Sequence, residues 1–120
     1  MISKTIHCSR EYNILIDEGL LGHAGSLAAS VLPPSKLCIV TDETVGALYG
    51  GKDSALWKSL LVAGFDVYEY RFPAGEAHKT MQTIESILSF LAENRFHRGD
   101  GIVALGGGVP GDMAGFAAAI

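Results

Sequence analysis

The run KLCIVTDETV, Lys36 to Val45, decides how the chain is read. Leu37 to Val40 is continuously apolar, as a strand covered on both faces should be; a strand with one wet face would alternate. Polar side chains begin at Thr41–Asp42, and the strand ends there. Working outward, the pattern recurs. FDVYEYRF (65–72) alternates loosely through Phe65, Val67, Tyr68, Tyr70 and Phe72 and reads as the next strand. GIVALGGG (101–108) reads as a third buried strand running into glycines. Helical patterns lie between. SALWKSLLVAG (54–64) has Leu56, Leu60 and Ala63 at i, i+4 and i+7, with Gly64 as its stop. In MQTIESILSFLAEN (81–94), Met81, Ile84, Ile87, Leu88 and Leu91 form one stripe behind a Thr80 cap. GDMAGFAAAI (111–120) begins another helix.

Toward the amino terminus, KTIHCSREYNILID (4–17) reads as two short strands about a turn at Ser9–Arg10–Glu11. GLLGHAGSLAASVL (19–32) follows, with Leu21, Leu27 and Val31 near helical spacing and Pro33–Pro34 ending it. Alternating strands and helices imply a parallel sheet with right-handed crossovers. The expected fold is therefore α/β: a Rossmann-like, three-layer domain with a mostly parallel sheet and an amino-terminal β-hairpin.

At 120 residues the chain is one domain by length. Charged residues are 18% of it, below the usual share of about 25%. Two readings of that apolar balance stand side by side: a face made to be covered by another domain or subunit, or a small-residue α/β core. A net charge of −4 with no basic run argues against nucleic acid as a partner. No signal-peptide or membrane-span run is present, so a cytoplasmic protein with no membrane partner is expected. Cys8 and Cys38 form no CxxC pair, and His7, His23, His78 and His97 have no metal-ligand spacing. No metal site is expected within these residues.

Open sheets of this kind bind ligands beyond the carboxyl ends of their strands. Three loops lie there: Asp42, PAGEAHK (73–79) and the triple glycine. Gly106, Gly108 and Gly111 fit G-x-G-x-x-G after a strand and before a helix. Glycine lets the backbone approach a phosphate, and the helix start offers free N–H groups to an anion. The same turn also serves a purely structural purpose. Pro110 suits a helix start but removes a donor. Asp112 would repel a phosphate set directly on it, so it caps the helix or accepts from a sugar hydroxyl or amide. Asp42 is either a ribose ligand or the N-cap of the ETVGALYG helix (43–50). Glu76 and Lys79 either meet a nucleotide or form a solvated ion pair beside Thr80. No catalytic acid, base or nucleophile stands out.

Together TDETV (41–45), FPAGEAHKT (72–80) and VALGGGVPGDMAGFAAA (103–119) resemble the amino-terminal domain of the 3-dehydroquinate synthases. These belong with the sugar-phosphate cyclases; glycerol and iron-dependent alcohol dehydrogenases share the fold more loosely. The resemblance spans essentially the whole chain, 1–120. It implies NAD held by Asp42, by the loop Ala74, Gly75, Glu76 and Lys79, and by Gly107, Gly108, Val109, Pro110, Gly111 and Asp112. Family members often carry aspartate at the position of Ala74 and a β-branched residue at that of Pro110, so one hydrogen bond and one donor are in question.

The implied reaction converts 3-deoxy-arabino-heptulosonate 7-phosphate to 3-dehydroquinate and phosphate, with NAD regenerated. It also implies a divalent metal, zinc or cobalt, whose ligands lie beyond position 120, a sugar-phosphate substrate, and a homodimer. On this reading the chain is a truncated, NAD-binding portion that lacks catalytic residues and synthase activity alone. Two alternatives remain: the NAD-binding half of a related cyclase or dehydrogenase, and a non-catalytic nucleotide-binding module.

Overall fold

The computed structural model describes residues 2–6, 12–16 and 19–107. Two strands open the chain, β1 (Ile2–Ile6) and β2 (Tyr12–Ile16), paired antiparallel with Ile2 opposite Ile16. The turn expected at Ser9–Arg10–Glu11 lies outside the described residues, as does the helix expected after Gly111. Next come a 3₁₀ turn (Leu20–His23) and α1 (Ala24–Ala29). They lead to β3 (Lys36–Asp42), α2 (Glu43–Tyr49), α3 (Ala55–Val62), β4 (Asp66–Phe72), α4 (Met81–Glu93) and β5 (Gly101–Leu105). The strands β4-β3-β5 form a parallel sheet with β3 in the centre.

Leu37, Cys38, Ile39 and Val40 are all fully buried, because β3 has a strand on each side and helices on both faces. Odd and even positions divide the core. Leu37 and Ile39 pack with Leu56, Trp57 and Leu60 of α3, with Phe65, and with Val67 of β4. Cys38 and Val40 pack with Phe72 and with Ile84 and Ile87 of α4. The chain leaving β3 thus passes to one face and the chain leaving β4 to the other. Burial drives the Cys38 thiol up to about 12, with the Glu69 charge adding to the rise and a backbone hydrogen bond from Tyr70 opposing it.

The helices stop where left-handed residues allow. After α3, Gly64 (φ 97°) lets Phe65 N–H reach the Leu60 carbonyl at 3.1 Å, while its own N–H reaches that of Leu61 at 3.0 Å. After α4 the same arrangement forms around Arg95 (φ 60°), a side chain where glycine is the usual choice. At the amino edge of the sheet, Asp100 accepts from the N–H groups of Lys36 (3.0 Å) and His97 (2.9 Å). Burial works to raise its pKa, but these bonds and the charges of His97 and Lys36 outweigh that and hold it below the usual carboxylate value. The Lys36 ammonium caps the end of α4 at the Asn94 carbonyl, over the rings of Tyr68 and Phe96.

Three expectations need correction. Val31 is 77% exposed, and the buried side of α1 and its exit is Ala24, Gly25, Ala28 and Leu32. Small residues face inward there because α1 crosses α3 closely: Gly25 N–H donates to Ser59 Oγ at 2.7 Å. Met81 stands exposed at the open end of the α4 stripe. Finally, β5 is half-buried with Ala104 exposed, because among the described residues only β3 pairs with it.

Candidate functional site

The parallel register sets the geometry of the carboxyl edge. Asp42 pairs with Phe72, and Thr41 pairs with Leu105. Neighbouring parallel strands lie about 4.8 Å apart and rise about 3.3 Å per residue. Asp42, the loop that follows Phe72 and the glycines that follow Leu105 therefore start within a residue or two of one level, on three adjacent strands. The chains leaving β3 and β4 part to opposite faces, which opens a crevice at the strand tips.

Each loop has a local reason for its shape. Asp42 is extended (φ −88°, ψ 169°), and its Oδ1 accepts from Val45 N–H at 2.8 Å, so it caps α2. Among the described residues, Oδ2 takes no hydrogen bond. The cap thus occupies one of the two carboxylate oxygens. The loop after β4 turns at Gly75, whose φ of 109° and ψ of 159° lie in a region open essentially only to glycine. A 3₁₀ turn (Glu76–His78) follows, and Lys79 N–H returns to the Glu76 carbonyl at 3.0 Å. Thr80 Oγ1 then caps α4 by accepting from Thr83 N–H. Ala74, Gly75, Glu76 and Lys79 are all exposed.

Beyond β5, Gly106 takes φ 131° and Gly107 is exposed. Among the described residues, a Cβ at either Gly75 or Gly107 would meet nothing within 4 Å. The structure thus brings Asp42, Ala74, Gly75, Glu76, Lys79 and Gly107 to one edge. Gly108, Val109, Pro110, Gly111 and Asp112 lie outside the described residues.

Two polar features here escaped the sequence reading. Thr41 is fully buried, and its hydroxyl donates to the Leu105 carbonyl at 2.8 Å. Glu69 and Arg71 pair at 2.6 Å and clamp α2 from below. Arg71 Nη2 donates to the Gly46 carbonyl at 2.9 Å, and Glu69 Oε1 accepts from Gly51 N–H at 2.8 Å. Opposite charges at i and i+2 of a strand share one face, so the pair was detectable.

Among the described residues, two hollows of about 480 Å³ lie away from this edge: an apolar one between the 3₁₀ turn, α1, Leu60 and Val103, and an acidic one over α4 beside Tyr70. Neither includes a residue of the three loops. Among the described residues no three His, Cys, Asp or Glu side chains gather to hold a metal ion, and no helix is long and apolar enough to cross a membrane.

Against known proteins, residues 69–120 match the family model described as 3-dehydroquinate synthase N-terminal. The chain is 44% identical over 107 residues to the 3-dehydroquinate synthase of Streptococcus suis, covering 89% of this chain and 29% of that one. It spans about three-tenths of the length of such relatives. Among solved structures, a 2-deoxy-scyllo-inosose synthase superposes with a TM-score of 0.77 at 25% identity, covering 99% of this chain and 33% of the other. A 2-epi-5-epi-valiolone synthase from Streptomyces hygroscopicus subsp. jinggangensis, solved with NAD+ and Zn2+ bound, gives 0.73 at 26% identity, covering 100% and 31%. In sequence and fold, then, the chain is similar to the amino-terminal portion of the 3-dehydroquinate synthases and to the sugar-phosphate cyclases.

Proposed function

We propose that residues 1–120 form the NAD-binding portion of a 3-dehydroquinate synthase, which converts 3-deoxy-arabino-heptulosonate 7-phosphate to 3-dehydroquinate and phosphate. The observation that carries the reading is the single open edge shared by Asp42, the Gly75–Lys79 loop and Gly107, in a fold that a cyclase holding NAD+ and Zn2+ also has. A dinucleotide held there would supply a reversible hydride acceptor, the chemistry needed to acidify a C–H beside a substrate carbinol.

The chain's own residues do the holding. Asp42 Oδ2 accepts from a ribose hydroxyl while Oδ1 keeps α2 in place. Gly75 and Gly107 let the backbone approach without a Cβ in the way. Glu76 and Lys79 add an acceptor and a cation to the loop between them, and Gly108, Val109, Pro110, Gly111 and Asp112 continue the cradle. A metal and most contacts to the sugar phosphate belong, on this proposal, to segments other than this one. A cytoplasmic location and pairing into a homodimer are part of the same proposal.

An open edge covers only one side of a dinucleotide, whereas a mature ligand site buries most of its ligand. NAD+ therefore binds this chain weakly, and the chain alone gives no synthase turnover. Titration calorimetry with NAD+, with a nucleoside lacking phosphates as control, tests the first statement. Saturable binding of NAD+ and not of the nucleoside supports the reading. No heat at millimolar NAD+, or equal binding of both, contradicts it.

A further inference from the structure

Thr41 is the one fully buried polar side chain among the described residues, and its two branches reach in different directions. Its hydroxyl donates to the carbonyl of Leu105, the last residue of β5. Its methyl lies under α2, where a Cβ on Gly46 would come to 3.0 Å from it. The next residue along β3 is Asp42, the cap of α2. Gly106, directly beyond the held carbonyl, has a φ of 131° that few other residues adopt. One buried side chain therefore touches both the helix capped by Asp42 and the strand end from which the glycine turn departs.

We infer that Thr41 is a positioning residue, whose hydroxyl fixes the departure of the Gly106–Gly107 turn relative to Asp42. Its consequence for dinucleotide affinity rests on the proposed NAD site. The 2.8 Å contact is a hydrogen-bond distance that a methyl group cannot share with a carbonyl oxygen, since carbon–oxygen contacts run about 3.3–3.6 Å. Valine at this position keeps the β-branched shape and the contact under α2. It also drives the end of β5 away by roughly half an ångström, which is about the tolerance of a preorganised site. Serine does the reverse, keeping the hydroxyl and giving up the methyl.

The test compares Thr41→Val, Thr41→Ser and Thr41→Ala in the full 120-residue chain. Two readouts are taken: the amide resonances of Gly106 and Gly107, and NAD+ affinity. The expected result is displaced glycine resonances and about tenfold weaker NAD+ binding in the valine and alanine variants. Serine restores both, although its lost methyl lowers the melting temperature. Should valine fail to fold, the serine–alanine comparison isolates the hydroxyl. Unmoved glycine resonances in the variants lacking the hydroxyl would overturn the inference, as would a serine variant that loses as much affinity as valine. If the parent chain binds no NAD+, the proposed function fails, and the glycine resonances alone decide whether Thr41 positions the turn.

Discussion

Asp42 offers the sharpest separation of structure from function, because its two oxygens have different assignments. Oδ1 accepts from Val45 N–H at 2.8 Å and caps α2. Oδ2 is the proposed ribose acceptor. Replacing Asp42 with alanine removes both, and the lost cap alone costs about 1 kcal/mol of stability. Asp42→Asn separates them. Asparagine caps helices about as well as aspartate, so stability should change by only a few tenths of a kcal/mol. Its amide, however, presents an uncharged donor where the carboxylate offered Oδ2. A hydrogen bond to a charged group contributes about 1.5–3 kcal/mol, and 1.4 kcal/mol is tenfold in affinity. The asparagine variant should therefore bind NAD+ at least tenfold more weakly while melting within a degree or two of the parent. Thermal melts and NAD+ titrations of the two variants make the comparison. If the asparagine variant binds NAD+ as the parent does while alanine lowers only the melting temperature, Asp42 is a helix cap and nothing more.

Three further outcomes follow from the packing. In Gly25→Ala the new Cβ would stand 1.9 Å from the Ser59 carbonyl oxygen, which is backbone and cannot swing aside. We expect a loss of about 2–3 kcal/mol, or roughly 10 °C in melting temperature, and a change under 2 °C would show that α1 does not cross α3 this closely. Because Asp100 titrates below its unfolded value, its contribution to stability is present above about pH 4 and fades as pH falls through the lowered folded value. The gap in urea midpoint between the parent and Asp100→Asn should accordingly be wide at pH 7 and close toward pH 2; a gap that ignores pH refutes the assignment. The Cys38 thiol, buried and raised to about 12, should resist alkylation at pH 8 until the chain is unfolded, as peptide-resolved mass spectrometry would read it. Labelling of native Cys38 at the rate of a free thiol would contradict the core described here.

The sheet was legible because β3 announces itself: four consecutive apolar residues fit a strand covered on both faces, and all four are buried. The caps were legible for a similar reason. Asp42 and Thr80 each precede a helical pattern, and each accepts from the amide three residues on. The register was not, because no single strand states its partner. That Asp42 stands level with Phe72, and one residue beyond the Thr41–Leu105 pair, comes only from the assembled sheet.

Close packing hid α1. A reading that seeks large apolar residues chooses Leu27 and Val31, whereas the crossing with α3 needs Gly25. Thr41 hid at the end of an apolar run, where its hydroxyl looked like the start of a loop. Its importance depends on a carbonyl 64 residues away in sequence.

The central claim is that one dinucleotide lies across three strand tips. Titrating the isotopically labelled chain with NAD+ and following every backbone amide tests it directly. The account predicts that the resonances that move belong to Asp42–Val45, Gly75–Thr80 and Gly106–Gly107, while those of Lys36, Asp100 and the α1–α3 hollow stay still. Movement confined to that hollow or to the opposite edge of the sheet would contradict it.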